Sequence, residues 1–175
     1  MTRIFLIGYM AAGKTTLGRA LARTLNLQFL DLDQYIEQRQ HATITTLFER
    51  HGEAGFRQIE RQHLHEAGEF ENTLIACGGG TPCHFDNIDY MNRQGQTVFL
   101  SVPLPVLLRR LRANRSKRPL LAQKTDAQLH DYIAAQLQER LPYYTQARYT
   151  FPADSLESSA EIAESVTRFR EMLNL

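Results

Sequence analysis

Gly8-Tyr9-Met10-Ala11-Ala12-Gly13-Lys14-Thr15 fits the pattern G-x-x-x-x-G-K-[ST]. The flanks carry as much information as the match. Arg3-Ile4-Phe5-Leu6-Ile7 is a short apolar run of the kind a buried parallel strand requires. After the match, Leu17, Ala20, Leu21 and Leu25 recur on one face of a helix. A lysine-bearing glycine turn that matched by chance would not need this order of strand, loop and helix. The order predicts a phosphate-binding loop. A helix N-terminus has unpaired backbone N–H groups and a partial positive charge, and Gly8 and Gly13 let the preceding backbone curl around an anion. In this reading the amides of Ala11, Ala12, Gly13 and Thr16 line the phosphate site. Lys14 supplies a mobile charge for the β- and γ-phosphates, and the Thr15 hydroxyl is a Mg²⁺ ligand.

Composition bounds the alternatives. At 175 residues, with 22% charged and 9% aromatic residues, the chain is of ordinary globular make-up and long enough to bury a core. A net charge of +1 gives no reason to expect a nucleic-acid or membrane partner. No apolar run approaches membrane-spanning length, and a cytoplasmic protein without a signal peptide is expected. Two cysteines, Cys77 and Cys83, are too few for a disulfide framework or a structural zinc site, and Cys77 is expected in the core. The histidines show no ligand spacing; His63 and His65 are expected at the surface.

Further along, Gln28-Phe29-Leu30-Asp31-Leu32-Asp33 reads as a second strand ending in two acids. Two residues apart, they would share one side of that strand, at the end where open α/β sheets bind ligands. The simpler alternative is that Asp33 caps a helix starting at Gln34. Residues 43–71 are helical in pattern, interrupted by Gly52 and Gly55, and contain Arg57 and Glu60 at i,i+3. Spacing alone favours a solvated salt bridge of little worth; the alternative is an arginine fork held by its glutamate and offered to an anion. Thr73-Leu74-Ile75-Ala76-Cys77 reads as a strand running into Gly78-Gly79-Gly80, a triplet suited to a backbone that passes close to a ligand. Residues 97–102 form another strand, and Pro103 opens a helix. Residues 109–118 hold six arginines or lysines and end in Arg118-Pro119-Leu120-Leu121, a loop expected to act as a lid. Asp126–Tyr144 is a helix with a core stripe of Leu129, Ile133, Leu137 and Leu141, and with Arg140 beside it. A strand at 149–151 and a terminal helix at 160–173 follow. Strands alternating with helices predict a parallel sheet covered on both faces.

Together these blocks resemble the shikimate kinases over nearly the whole chain. The resemblance rests on residues 8–16, Asp31-Leu32-Asp33, Gly55-Phe56-Arg57-Gln58-Ile59-Glu60, Gly78-Gly79-Gly80, Arg118-Pro119-Leu120-Leu121 and Glu139-Arg140-Leu141-Pro142-Tyr143-Tyr144. It implies an α/β fold: a three-layer αβα P-loop kinase with a five-stranded parallel sheet. Residues 1–175 would be a single such domain, with a helical substrate-binding region at about 33–60 and a lid at about 112–122. The implied reaction is MgATP plus shikimate to ADP plus shikimate 3-phosphate, on the route to chorismate and the aromatic amino acids. By the same resemblance, Arg57 and Arg140 grip the shikimate carboxylate, Asp33 orients or deprotonates the 3-hydroxyl, and the backbone of Gly79 and Gly80 approaches the substrate. Asp31 joins Thr15 around Mg²⁺, Arg118 descends onto ATP, and Arg112 stacks on adenine. The expected partners are shikimate and ATP, with neither nucleic acid nor membrane, and the expected state is a monomer.

The chain departs from the family pattern at Ala11, where relatives commonly carry Gly; a positive φ there would impose a steric cost. Leu32 also differs from the usual Thr or Ser. A kinase for another polyol such as gluconate would share the architecture and the paired arginines. A nucleoside-monophosphate kinase would take a phosphate acceptor, which Asp31 and Asp33 would repel. A nucleotide-gated switch protein would lack transfer, and would not need Asp33, Arg57, Arg118 and Arg140 together.

Overall fold

The computed structural model describes residues 2–114 and 119–175, with Pro119 and Leu120 described by backbone only. Arg118, and with it Arg115 and Lys117 of the basic tract, lie outside the described residues.

Five parallel strands form one sheet in the order β2-β3-β1-β4-β5: β1 Arg3–Ile7, β2 Gln28–Asp31, β3 Thr73–Ala76, β4 Gln96–Ser101 and β5 Tyr149–Pro152. The continuous apolar run of β1 follows from its central place. Ile4 and Leu6 pack on one face beneath α1 (Lys14–Leu25) and α8 (Ser159–Leu173), against Leu17, Leu21 and Phe169. Phe5 and Ile7 face the opposite core, which gathers α2 (Leu32–Gln40), α3 (Ile44–Gly68), α4 (Asn87–Gln94), α5 (Leu104–Ala113) and α7 (Asp126–Tyr144). A strand buried on both faces cannot alternate with polar residues. The short helix α6 (Pro119–Ala122) precedes α7. No helix among the described residues is long and apolar enough to cross a membrane.

The chain leaves β1 toward the β2–β3 side of the sheet and later returns to its other side with β4. That reversal places a crevice at the carboxyl ends of the strands, where such sheets bind ligands. The phosphate loop follows β1, Asp31 ends β2, and Gly78-Gly79-Gly80 follows β3.

Several local expectations are corrected. Asp31 and Asp33 do not share a strand face. Asp31 ends β2 and caps α2, its Oδ1 accepting from the Gln34 amide at 3.2 Å, so Asp33 already lies in the first helical turn. The helix thus starts earlier than the apolar pattern suggested, because the cap is the first acid and not the second. Within α3 only Gly52 breaks the helical path, at φ 67°, ψ −179°; Gly55 is helical. The break turns the segment carrying Arg57 and Glu60 away from the axis of the first turns.

His63 is buried, not superficial. Its Nδ1 lies 2.8 Å from Glu66 Oε2 and its Nε2 lies 2.8 Å from Gln40, which ties α3 to α2. His65 is half-buried and stacks on Tyr90 with ring centroids 3.9 Å apart. On α7, Leu129 and Ile133 are core residues, but Leu141 is 46% exposed. In the last turn the core is filled instead by Tyr144, which is fully buried.

Candidate active site

Eight residues of backbone build the phosphate cradle. Gly8, Ala11 and Gly13 all have positive φ, of 146°, 63° and 97°. Gly13 caps α1 without any side-chain acceptor, which leaves the first amides of the helix for a ligand. Ala11 therefore carries the left-handed conformation that its family position suggested, and its Cβ carries the cost. Lys14 Nζ donates to the carbonyls of Gly8 and Tyr9 at 2.7 and 2.8 Å, so the ammonium is held over the loop. The Thr15 hydroxyl points at Asp31 Oδ2, 3.4 Å away, while the other Asp31 oxygen caps α2.

These groups line a cleft of about 510 Å³, together with Asp33, Cys77, Gly78, Gly79, Arg110, Asn114, Leu156 and Glu157. Asp33 stands at its inner wall. Burial, reinforced by the neighbouring Asp31 and Glu60 carboxylates and only partly offset by Lys14, pushes its carboxyl up to about 6. Cys77 is buried as expected, and burial holds its thiol far above the usual range, so it is inert.

The glycine triplet is the hinge of the geometry. A Cβ at Gly80 would lie 2.6 Å from Arg57 Nη2, one at Gly79 would lie 3.0 Å from Arg140 Nη1, and one at Gly78 would lie 3.1 Å from Asp33 Oδ1. Three predicted residues from three helices thus converge on three consecutive glycines. Arg57 is not the solvated partner that its spacing suggested. Its side chain is 11% exposed and Glu60 only 2%, with a 2.8 Å bond between Nη1 and Oε1. Arg57 Nε is buried and makes no hydrogen bond among the described residues. Such a group calls for a ligand. Arg140 lies over the Tyr9 ring at 5.6 Å, and the next turn of α7 sends the Tyr144 hydroxyl to the Gly79 carbonyl at 2.6 Å.

Arg112 is not brought to the cleft. It is half exposed and faces Asp126 at 3.7 Å. Arg110, two residues earlier, lines the cleft instead: it donates to the carbonyls of Ala11 and Ala153 and to Glu157, whose carboxyl it holds down at about 2. Its signal was lost among the six basic residues of 109–118. Leu156 and Tyr144 were likewise missed, because nothing local distinguishes them from ordinary core residues.

The shikimate kinase family model matches residues 10–171. The chain belongs to the shikimate kinase family. A shikimate kinase of Bacteroides thetaiotaomicron is 56% identical over 175 residues, covering all of both chains. The crystal structure of shikimate kinase from that organism superposes with a TM-score of 0.97 over 99% of each chain. Shikimate kinase from Acinetobacter baumannii, solved in complex with shikimate, is 33% identical with a TM-score of 0.83, covering 99% of this chain and 94% of that one. The family resemblance and the αβα kinase fold are therefore as the sequence blocks implied. As a shikimate kinase the chain is a transferase that phosphorylates shikimate at the expense of ATP.

Proposed function

We propose that the two ends of the cleft divide the substrates: nucleotide on the phosphate loop, shikimate between Asp33, Arg57, Arg140 and the glycine triplet. The observation that carries this reading is the convergence of one carboxylate and two guanidinium groups on Gly78-Gly79-Gly80, beside the loop that holds Lys14. A polyhydroxylated ring acid needs both signs of charge: cations for its carboxylate and an acceptor for its hydroxyls. In the transfer, the shikimate 3-hydroxyl oxygen forms a bond to the γ-phosphorus as the bond to the ADP oxygen breaks. The hydroxyl proton passes to Asp33 or to solvent. Lys14 and the α1 amides stabilise charge on the transferring group, and Asp33 acts first by positioning the hydroxyl.

No cluster of three or more His, Cys, Asp or Glu residues able to hold a metal occurs among the described residues. The donors present nevertheless fit Mg²⁺, which takes one or two protein oxygens and completes its shell with phosphate and water. Thr15 and Asp31 would hold it, and it would neutralise charge on the β- and γ-phosphate oxygens. Arg110 and Leu156, not Arg112, flank the space for the base. The role of Arg118 on the transferring group, and a lid at about 112–122, rest on the family pattern Arg118-Pro119-Leu120-Leu121. A cytoplasmic monomer completes the reading.

The test is ADP release by the purified protein with MgATP, alone and with shikimate, gluconate or CMP. Release dependent on shikimate, with Arg57→Ala raising the shikimate KM far more than the ATP KM, is expected. Equal effects on both constants would remove Arg57 from the carboxylate end.

A further inference from the structure

The carboxylate of Glu60 has two oxygens, and the Arg57 bond accounts for one. The other, Oε2, accepts a hydrogen bond from the Thr81 hydroxyl at 2.8 Å. Thr81 is fully buried and opens the single 3₁₀ turn Thr81–Cys83 directly after the glycine triplet. Its own backbone is held in turn: Asn87, buried at the start of α4, donates from Nδ2 to the Thr81 carbonyl at 2.9 Å. A chain of contacts therefore runs from α4 through the 3₁₀ turn to Glu60 and ends on Arg57.

We infer that Thr81 is a positioning residue for shikimate binding, acting through Glu60 on Arg57. The physical argument is orientational. A buried carboxylate held at one oxygen can rotate about its last torsion, and the guanidinium bonded to it follows. Held at both oxygens, it presents Arg57 in one orientation, with Nη1 engaged by Glu60. The Nε edge is then left for a planar anion: among the described residues Nε has no hydrogen-bond partner, and Nη2 makes a 3.7 Å contact with exposed Glu53. A fork–fork pair with a carboxylate uses two such N–H groups and tolerates little misalignment. Thr81 also keeps the Glu60 charge partly satisfied, so that Arg57 is not drawn fully onto its own glutamate.

This inference rests on the carboxylate-clamp reading of Arg57, and the experiment separates the two. Thr81→Val, Thr81→Ser and Arg57→Ala are compared by steady-state kinetics, with circular dichroism and thermal melts as controls for folding. Thr81→Val is expected to raise the shikimate KM about tenfold, the scale of one hydrogen bond to a charged group, with kcat and the ATP KM within about twofold of the parent. Thr81→Ser, which restores the hydroxyl, is expected to return the shikimate KM to within about twofold. Should the valine variant fold poorly, Thr81→Ala removes the hydroxyl without adding bulk and carries the same expectation. In a double-mutant cycle with Glu60→Gln, the two losses should be strongly non-additive, because both act on one bond. An unchanged shikimate KM in a folded Thr81→Val or Thr81→Ala protein overturns the role of Thr81. So does an equal rise in both substrate constants, or additive losses in the cycle. If Arg57→Ala leaves the shikimate KM unchanged, the clamp itself is wrong and the inference falls with it.

Discussion

The hydroxyl of Tyr144 donates to the carbonyl of Gly79 at 2.6 Å, across 65 residues of sequence. Burial pushes the phenol well above its ordinary range, so it remains a donor at any working pH. The same Gly79 would, with a Cβ, stand 3.0 Å from Arg140 and 3.5 Å from the Gly8 carbonyl. One bond thus ties the end of α7 to the glycine triplet, which passes beside the phosphate loop. Tyr144→Phe removes this bond to a half-buried carbonyl and should cost about 1–2 kcal/mol, which for a chain of this size lowers Tm by roughly 2–8 °C. The shikimate KM should rise alongside, because Arg140 sits one turn away on the same helix; a melt and a KM titration check both.

Gly80 separates stability from binding. The three atoms nearest a Cβ there all belong to the Arg57 guanidinium, at 2.6, 2.8 and 3.0 Å for its Nη2, Nη1 and Cζ. The end of a long side chain can move aside cheaply, so Gly80→Ala should keep the fold and its Tm within about 2 °C. Its shikimate KM should rise tenfold or more as Arg57 is displaced, with the ATP KM little changed. A Tm loss without a change in shikimate KM would show that Arg57 does not serve the acceptor.

Ala11 holds φ at 63°, where an L-residue pays about 1–2 kcal/mol relative to glycine. Ala11→Gly releases this strain and gives back about 0.5–1 kcal/mol of unfolded-chain entropy, for a net gain of about 0.5–1 kcal/mol. The ATP KM should fall or stay level. Ala11→Val, β-branched at the same φ, should destabilise the loop and weaken ATP binding; calorimetry with a non-hydrolysable nucleotide reads this directly.

Asp33 gives the pH dependence. Its native carboxyl, raised from 3.8 to about 6 by burial and by Asp31 and Glu60, is the form that must be ionised to accept from a hydroxyl. In the metal-free protein, shikimate affinity read by calorimetry should therefore climb with pH through an apparent value near 6, and Asp33→Asn should abolish that limb. Linkage has a definite sign. Between about pH 4 and 6 the native state binds more protons than the unfolded chain, so this group's contribution to stability is lost as pH rises. Asp33→Asn should then gain stability relative to the parent at pH 8 and not at pH 4, as paired thermal melts would show.

Much of this was legible in the chain because it is local or periodic. Gly8 to Thr15 encodes a cradle through the backbone freedom of its own residues, and the flanking strand and helix announce themselves by hydrophobic period. The parallel sheet follows from alternating elements, and the blocks around Asp33, Arg57 and Arg140 carried the family. Only the tertiary structure decided which charges matter. Arg57 and Glu60 have the spacing of a surface pair, and their value comes from burial beneath Gly80, supplied by residues distant in sequence. Of the basic residues of 109–114, Arg110 lines the cleft and Arg112 does not, because α5 aims the one at Ala11 and the other at Asp126. His63 became buried, and Leu141 exposed, for the same reason: a side chain's periodicity gives the face it shares, whereas what covers that face is a property of the whole packed chain.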